Sequence, residues 1–266
     1  LEAVGSIQNI TLTTLARNRR VLFVEGDDDF RLLRRFARKL GMTELGSGSG
    51  ITALESGGFG SWQRITTLAA GIADALGATL AIAAIYDRDY FCDEEISNVT
   101  ASLNAHLRLA HVHCRKEIEN YLLVPIALDR AIARALTEKA TRTGTSPPGA
   151  PSSLALLREV TDHLKDDVQS QIIARRTNHL RSSGKDIADI TREALASFSP
   201  RWSDINTRLS LVPGKEVLGS FRERIQTTLG ISLTDSRIID AMRKDDVPID
   251  LQHLLHEIDN FRKCHV

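Results

Sequence analysis

"VLFVEGDDDF", residues 21–30, sets five apolar residues against four acidic ones with a single glycine between them. Between Arg20 and Glu25 the run Val21–Val24 is apolar without interruption, the pattern of a strand buried on both faces. Acids this dense repel one another, so a fold tolerates them where they face water or bind a cation. Outward from this stretch, "DDDFRLLRRFARKLG" reads as a helix that Asp27 or Asp28 can cap. Phe30, Leu32, Leu33, Phe36 and Leu40 form its apolar stripe, and Gly41 ends it. "ITALES" (51–56), "TLAIAAIYD" (79–87) and "RLAHVHC" (108–114) read as three further strands. A helix running to about Leu76 and stopped by Gly77, and another over "DEEISNVTASLNAHL", separate them. Strands alternating with helices at these lengths predict an α/β domain, a parallel sheet covered by helices on both faces. Acids follow two of the strands at the carboxyl edge, where open sheets place their sites.

From Val124 the texture changes. Helical patterns occupy 126–140, 153–182, 184–197, 201–210, 216–229, 234–244 and 249–263, and "TRTGTSPPGAPSS" (141–153) is a Pro/Gly/Ser joint. The expected organisation is a catalytic α/β domain over 1–123 and an additional mainly helical domain over 124–266.

Lys plus Arg balances Asp plus Glu at 34 each, so no global basic field advertises a nucleic-acid partner, though a local basic groove survives inside a neutral total. Aromatics at 5% argue against base stacking as the main binding device. The three cysteines, Cys92, Cys114 and Cys264, lack Cys-x-x-Cys spacing and fit a reducing, cytoplasmic setting. "HVHC" (111–114) could present His111 and His113 on one strand face, but without a second ligand cluster it reads as an ordinary strand. No run is long enough to span a membrane. The chain opens on Leu1 rather than methionine, which predicts a fragment or a processed form.

Glu25 ends the first strand, with Asp29 four residues on; Asp87 and Asp89 follow the third strand; Glu117 and Glu119 follow the fourth in "RKEIENYLL". If these edges converge, four to six carboxylates share one crevice, and hard divalent cations with oxygen ligands would relieve their repulsion. Two Mg²⁺ ions, or Mn²⁺ or Ca²⁺ in their place, could then activate a water and stabilise a phosphodiester's leaving oxygen. The plainer reading, that acids enrich at helix N-termini, accounts for Asp27, Asp28, Asp93, Glu94 and Glu95 but poorly for Glu25. "GSGSG" and "SGGFG" match no phosphate-loop or dinucleotide pattern and read as turns. Arg88 and Arg115 stand beside the acids, and Arg175 and Arg176 lie in a basic helical face; all four are candidate DNA-backbone contacts.

"VEGDDDF" followed by "YDRDY" resembles the Toprim domain, and "EIENYL" with the later "PGKEVL" resembles the C-terminal region of OLD-family nucleases, in the larger class with a helical insertion. The resemblance is strong over 20–123 and reaches 213–218 through one short motif. It implies a Toprim-like sheet and a DNA endonuclease or nickase using two metals. The implied ligands are Glu25, Asp29, Asp87, Asp89 and Glu117, with Glu119 less directly. It also implies catalytic roles for Glu25, Asp87 and Lys215, with 213–218 folding back to the site. The family joins this region to an N-terminal ABC-type ATPase, of which no Walker motif is present here; any oligomer would form through that part. The alternatives are a Toprim scaffold that binds DNA without cutting and a receiver-like phospho-signalling domain. Primase is disfavoured by the missing zinc module, and topoisomerase requires a tyrosine nucleophile, for which Tyr86, Tyr90 and Tyr121 stand near the acids.

Overall fold

A computed structural model of the chain describes residues 13–57, 62–146 and 148–265. Its contacts divide it into two compact units: one of residues 1–87, 97–113 and 249–266, the other of 88–96 and 114–248.

The first unit is built on four parallel strands in the order β2-β1-β3-β4. A helix over 13–18 (α1) leads into β1 (Arg20–Val24); β2 (Thr52–Glu55), β3 (Ala81–Tyr86) and β4 (Leu109–Val112) follow. Successive strand residues point to opposite faces, yet Val21, Leu22, Phe23 and Val24 are all at most 1% exposed. Both faces of β1 are therefore covered, as its unbroken apolar run requires. The crossovers are α2 (Asp27–Leu40) with the short α3 (Thr43–Ser47), α4 (Trp62–Leu76) and α5 (Asp93–Asn104). α2 buries Phe30, Leu32, Leu33, Phe36 and Ala37 on one face and stops at Gly41, whose φ of 88° is open to glycine without strain.

α2 is not capped by Asp27 or Asp28. Gly26 is its N-cap, and the Asp29 carboxylate reaches back to accept the Gly26 N–H at 3.0 Å. Asp27 N–H instead donates to Glu55 Oε1 at 2.9 Å, and Asp28 pairs with Arg31 at the surface. The third acid wins because only the N3 position lies one turn from the cap.

The last helix, α13 (Ile249–Lys263), packs against β4, α2 and α3 and belongs to the sheet unit. Arg262 ties it to Glu44 at 2.5 Å, and Arg20 Nε donates to Cys264 O at 3.0 Å. The contact division thus differs from a single cut after residue 123.

The second unit is helical: α6 (Pro125–Thr143), α7 (Ser153–Asp162), α8 (Lys165–Leu180), α9 (Ile187–Ser203), α10 (Ile205–Leu211), α11 (Gly214–Leu229) and α12 (Asp235–Ala241). The expected helix over 153–182 is two helices. Thr161 is fully buried and Asp162 Oδ1 accepts from the buried Arg208 at 2.6 Å, so the chain turns there without a glycine or proline. α9 runs through Pro200 to Ser203, beyond the expected end at 197, because a proline close to a helix end removes only one backbone bond. Between α6 and α7 the described residues are irregular and exposed.

Candidate functional site

In the first unit, Glu25 and Asp87 leave the sheet at adjacent carboxyl ends, since β1 and β3 are hydrogen-bonded neighbours with Phe23 opposite Ala84. The chain goes from β1 to β2 on one side and to β3 on the other, so this is where strand order reverses, the position at which open α/β sheets hold ligands. Here Glu25 Oε1 accepts the Asp87 N–H at 3.2 Å. Both side chains are half-buried. Tyr86, behind them, is 1% exposed. Burial pushes its hydroxyl well above the usual phenol range, a hydrogen bond with Ser56 pulls it back, and the Glu25 charge adds to the rise. Asp29 is held in its helix-capping contact with Gly26.

In the second unit a lysine gathers the acids. Lys116 is 9% exposed; its ammonium hydrogen-bonds Glu117 Oε1, lies 3.5 Å from Asp89 Oδ1 and sits 5.1 Å from the centroid of the Tyr90 ring. Burial acts to lower its pKa, but the hydrogen bond and charge of Glu117, and then those of Asp89, outweigh it and hold the lysine above its usual value. Asp89 adopts a φ of 48°, a left-handed conformation that aspartate tolerates better than most residues, and its N–H donates to Lys116 O at 2.9 Å. Tyr90 is pushed up by burial and then by the charges of Glu117, Asp89, Asp167 and Glu216.

The other Glu117 oxygen, Oε2, accepts the Lys215 N–H at 2.9 Å. That N–H lies in the first turn of α11, where unsatisfied backbone donors favour an anion. Asn120 fixes the same contact from below: it is fully buried, accepts the Glu117 N–H at 2.8 Å and donates to Leu209 O and Val212 O at 2.8 and 2.9 Å. A Cβ on Gly214 would lie 2.7 Å from both Asn120 N and Oδ1, so only glycine allows the approach. The Lys215 side chain is exposed and makes no hydrogen bond or ion pair among the described residues. Glu119 lies half-buried within the 3-10 turn Ile118–Leu122, two positions on from Glu117.

The four candidate DNA-contacting arginines all have partners within the second unit. Arg88 pairs with Asp93 at 2.5 Å, and Arg176 with Glu94 at 3.5 Å. Arg115 donates to Asn120 O at 3.2 Å and lies over the Tyr121 ring. Arg175 grips Glu95 with two hydrogen bonds of 2.6 and 3.2 Å and stacks 3.6 Å from the Phe91 centroid. Such a bidentate, stacked arginine is structural before it is anything else.

Among the described residues the one group of three ligand atoms within 4.8 Å of one another is Cys92, Glu95 and His179, and none of the expected carboxylates forms such a group. Glu95 is already neutralised by Arg175, and burial, with hydrogen bonds and charge from the neighbouring glutamates, pushes the Cys92 thiol up to about 11. His111 and His113 lie at the end of the edge strand β4 with their rings edge to face at 5.8 Å.

Lys116 and Asn120 are the site residues that sequence reasoning missed. The signal for the first was its place directly before Glu117, and for the second its place in the turn that the glutamates occupy.

The chain matches no protein-family model, no curated protein and no solved structure in the comparisons made. No helix among the described residues is long and apolar enough to cross a membrane.

Proposed function

We propose that the chain is a divalent-metal-dependent DNA endonuclease or nickase, the nuclease part of a larger ATPase–nuclease protein. The observation that carries this reading is the meeting of Glu25 and Asp87 at the strand-order reversal of a parallel sheet. Two half-buried carboxylates at adjacent strand ends of a parallel sheet are suited to hold a hard cation. One residue separates Asp87 from Asp89, so covalent geometry alone keeps their Cα atoms within about 7 Å. A bound Mg²⁺ would lower the pKa of a water and stabilise the leaving oxygen of a phosphodiester. The chain's own contribution is to orient the carboxylates from rigid strand ends and to fix the Lys215 backbone through Glu117. The exposed Lys215 ammonium then remains available for a phosphate oxygen.

One observation favours a second reading, a scaffold that binds DNA without cutting. Lys116 supplies to Asp89 and Glu117 the positive charge that a cation would otherwise bring.

The test is incubation of supercoiled plasmid with Mg²⁺, Mn²⁺ or Ca²⁺, comparing wild type with Asp87→Ala. Nicked or linear product from wild type alone supports the nuclease. DNA binding without product in any cation supports the scaffold.

A further inference from the structure

Within the second unit, the first turn of α5 together with α8, α9 and α10 encloses a cavity of about 160 Å³. Arg88, Arg176 and Arg201, with Asp89, Asp93 and Glu193, line it on the polar side, and Phe198 and Leu211 supply apolar wall. The volume is several times that of a water, enough for a phosphate group and part of its ester.

Its charges do not close among themselves. Arg88 has Asp93 as its partner, and that carboxylate is 84% exposed. Arg176 has Glu94, Glu193 has Lys185 at 3.4 Å, and Asp89 has Lys116. Arg201 is half-buried and its side chain makes no hydrogen bond or ion pair among the described residues. Its neighbours in charge are Arg88, which repels it, and Asp93, which is already engaged. Burial first, and Arg88 second, lower its pKa. Half-buried charges are ordinarily paired, so an unpaired guanidinium aimed into a cavity beside a second guanidinium is a site for an anion.

We propose that this cavity binds a phosphate monoester, the terminal phosphate of a nucleic-acid strand, held by the Arg201 fork with Arg88 and Arg176 at its side. A dianion with several oxygens matches three planar donors better than a carboxylate does, and the apolar wall can pack the attached sugar. The choice of a strand end rests on the proposed nuclease reading, because cutting a phosphodiester creates such an end. The anion site itself stands on Arg201.

The experiment measures binding of short oligonucleotides carrying a 5′-phosphate, a 3′-phosphate or no phosphate, by fluorescence anisotropy in EDTA. Inorganic phosphate serves as competitor. Removing divalent metal separates this measurement from cleavage, so the plasmid assay and this one can fail independently. Wild type should prefer one phosphorylated end by roughly tenfold or more, the scale of charged hydrogen bonds, and Arg201→Gln should lose that preference. Competition by inorganic phosphate without any preference for a strand end would retain the anion site and overturn the nucleic-acid ligand. If Arg201→Gln does not fold, Arg201→Lys keeps the charge without the fork and should lose most of the preference. Equal binding of all three oligonucleotides with no phosphate competition, or a preference that survives at full strength in both variants, overturns the proposal.

Discussion

The Lys215 N–H donates to Glu117 Oε2 at 2.9 Å across 98 positions of sequence. Two short motifs, "EIENYL" and "PGKEVL", are by this bond one structural element. Asn120 makes the element rigid, since its amide satisfies the carbonyls of Leu209 and Val212 while its oxygen receives the Glu117 N–H. Glu117 has one oxygen on Lys116 and the other on the start of α11. It is therefore a capping anion in this arrangement, whatever else it does.

Gly214→Ala should destabilise the second unit by roughly 1–3 kcal/mol, the usual range for overpacking. The added methyl would meet the backbone nitrogen of Asn120, which cannot swing aside as a flexible side-chain end could. Asn120→Ala should cost about as much or more, because it leaves buried backbone groups without partners. Urea titrations of both variants check this; midpoints equal to wild type would show that the approach is not tight.

Lys215→Ala should leave stability within about 0.5 kcal/mol, as for other exposed side chains away from packing. Its amide bond to Glu117 is a backbone contact and survives the change. If the ammonium steadies charge that develops only in the transition state, plasmid cutting slows while DNA affinity barely moves. Lys215→Arg should recover part of the rate, since its broader fork keeps the charge but not the shape. A parallel loss of affinity and rate would instead assign Lys215 to ground-state binding.

Glu25→Gln retains an oxygen able to accept the Asp87 N–H, so the β1–β3 edge should keep its geometry and the fold its stability. What it loses is the charge. Cleavage in Mg²⁺ should fall by orders of magnitude, with no partial rescue from raised DNA concentration. Normal cutting by this variant would remove Glu25 from the site.

The pH dependence of stability should carry the mark of β4. Burial holds His111 down at about 4 and His113 at about 3, against 6.5 for an ordinary histidine. Asp250 pulls His111 partly back, His111 depresses His113 further, and Glu257 lies 3.7 Å from His111 Nδ1. Below pH 6.5 the unfolded chain binds protons that the folded chain refuses, so stability is full above that pH and falls as pH drops toward 4. By pH 5 each histidine should cost roughly 2 kcal/mol. Thermal melts of His113→Phe from pH 7 to 5 should fall less steeply than those of wild type; identical slopes would mean that the imidazoles are not shielded.

The strands were readable because "VLFV" (21–24) and "AIAAIY" are apolar on both alternating faces, the pattern of a doubly covered sheet. The break between α7 and α8 was not, since no local breaker marks it and the turn depends on Arg208, 46 residues away from Asp162. An apolar face on α13 was visible, but periodicity says nothing about which partner receives it, and the sheet does. In the site, acids after strand ends could be seen in sequence. The pairing of Lys116 with Asp89 could not, because Asp89 lies 27 positions upstream and meets it only through the fold.

Lys116 is where the nuclease and the scaffold part company. Lys116→Met fills a similar volume without charge, leaving Asp89 and Glu117 with no cation between them. The half-buried Glu117 and the exposed Asp89 then repel, and the variant should be less stable than wild type at low ionic strength in EDTA by about 1 kcal/mol. If these acids can hold a divalent cation, Mg²⁺ or Ca²⁺ at millimolar concentration should raise the melting temperature of Lys116→Met more than that of wild type, since ligand binding to the folded state stabilises it. Sodium chloride at matched ionic strength should not reproduce the effect, because it screens charge without entering an oxygen site. Recovery in salt and divalent cation alike would mean that Lys116 neutralises a structural acid pair and that Asp89 and Glu117 bind no metal.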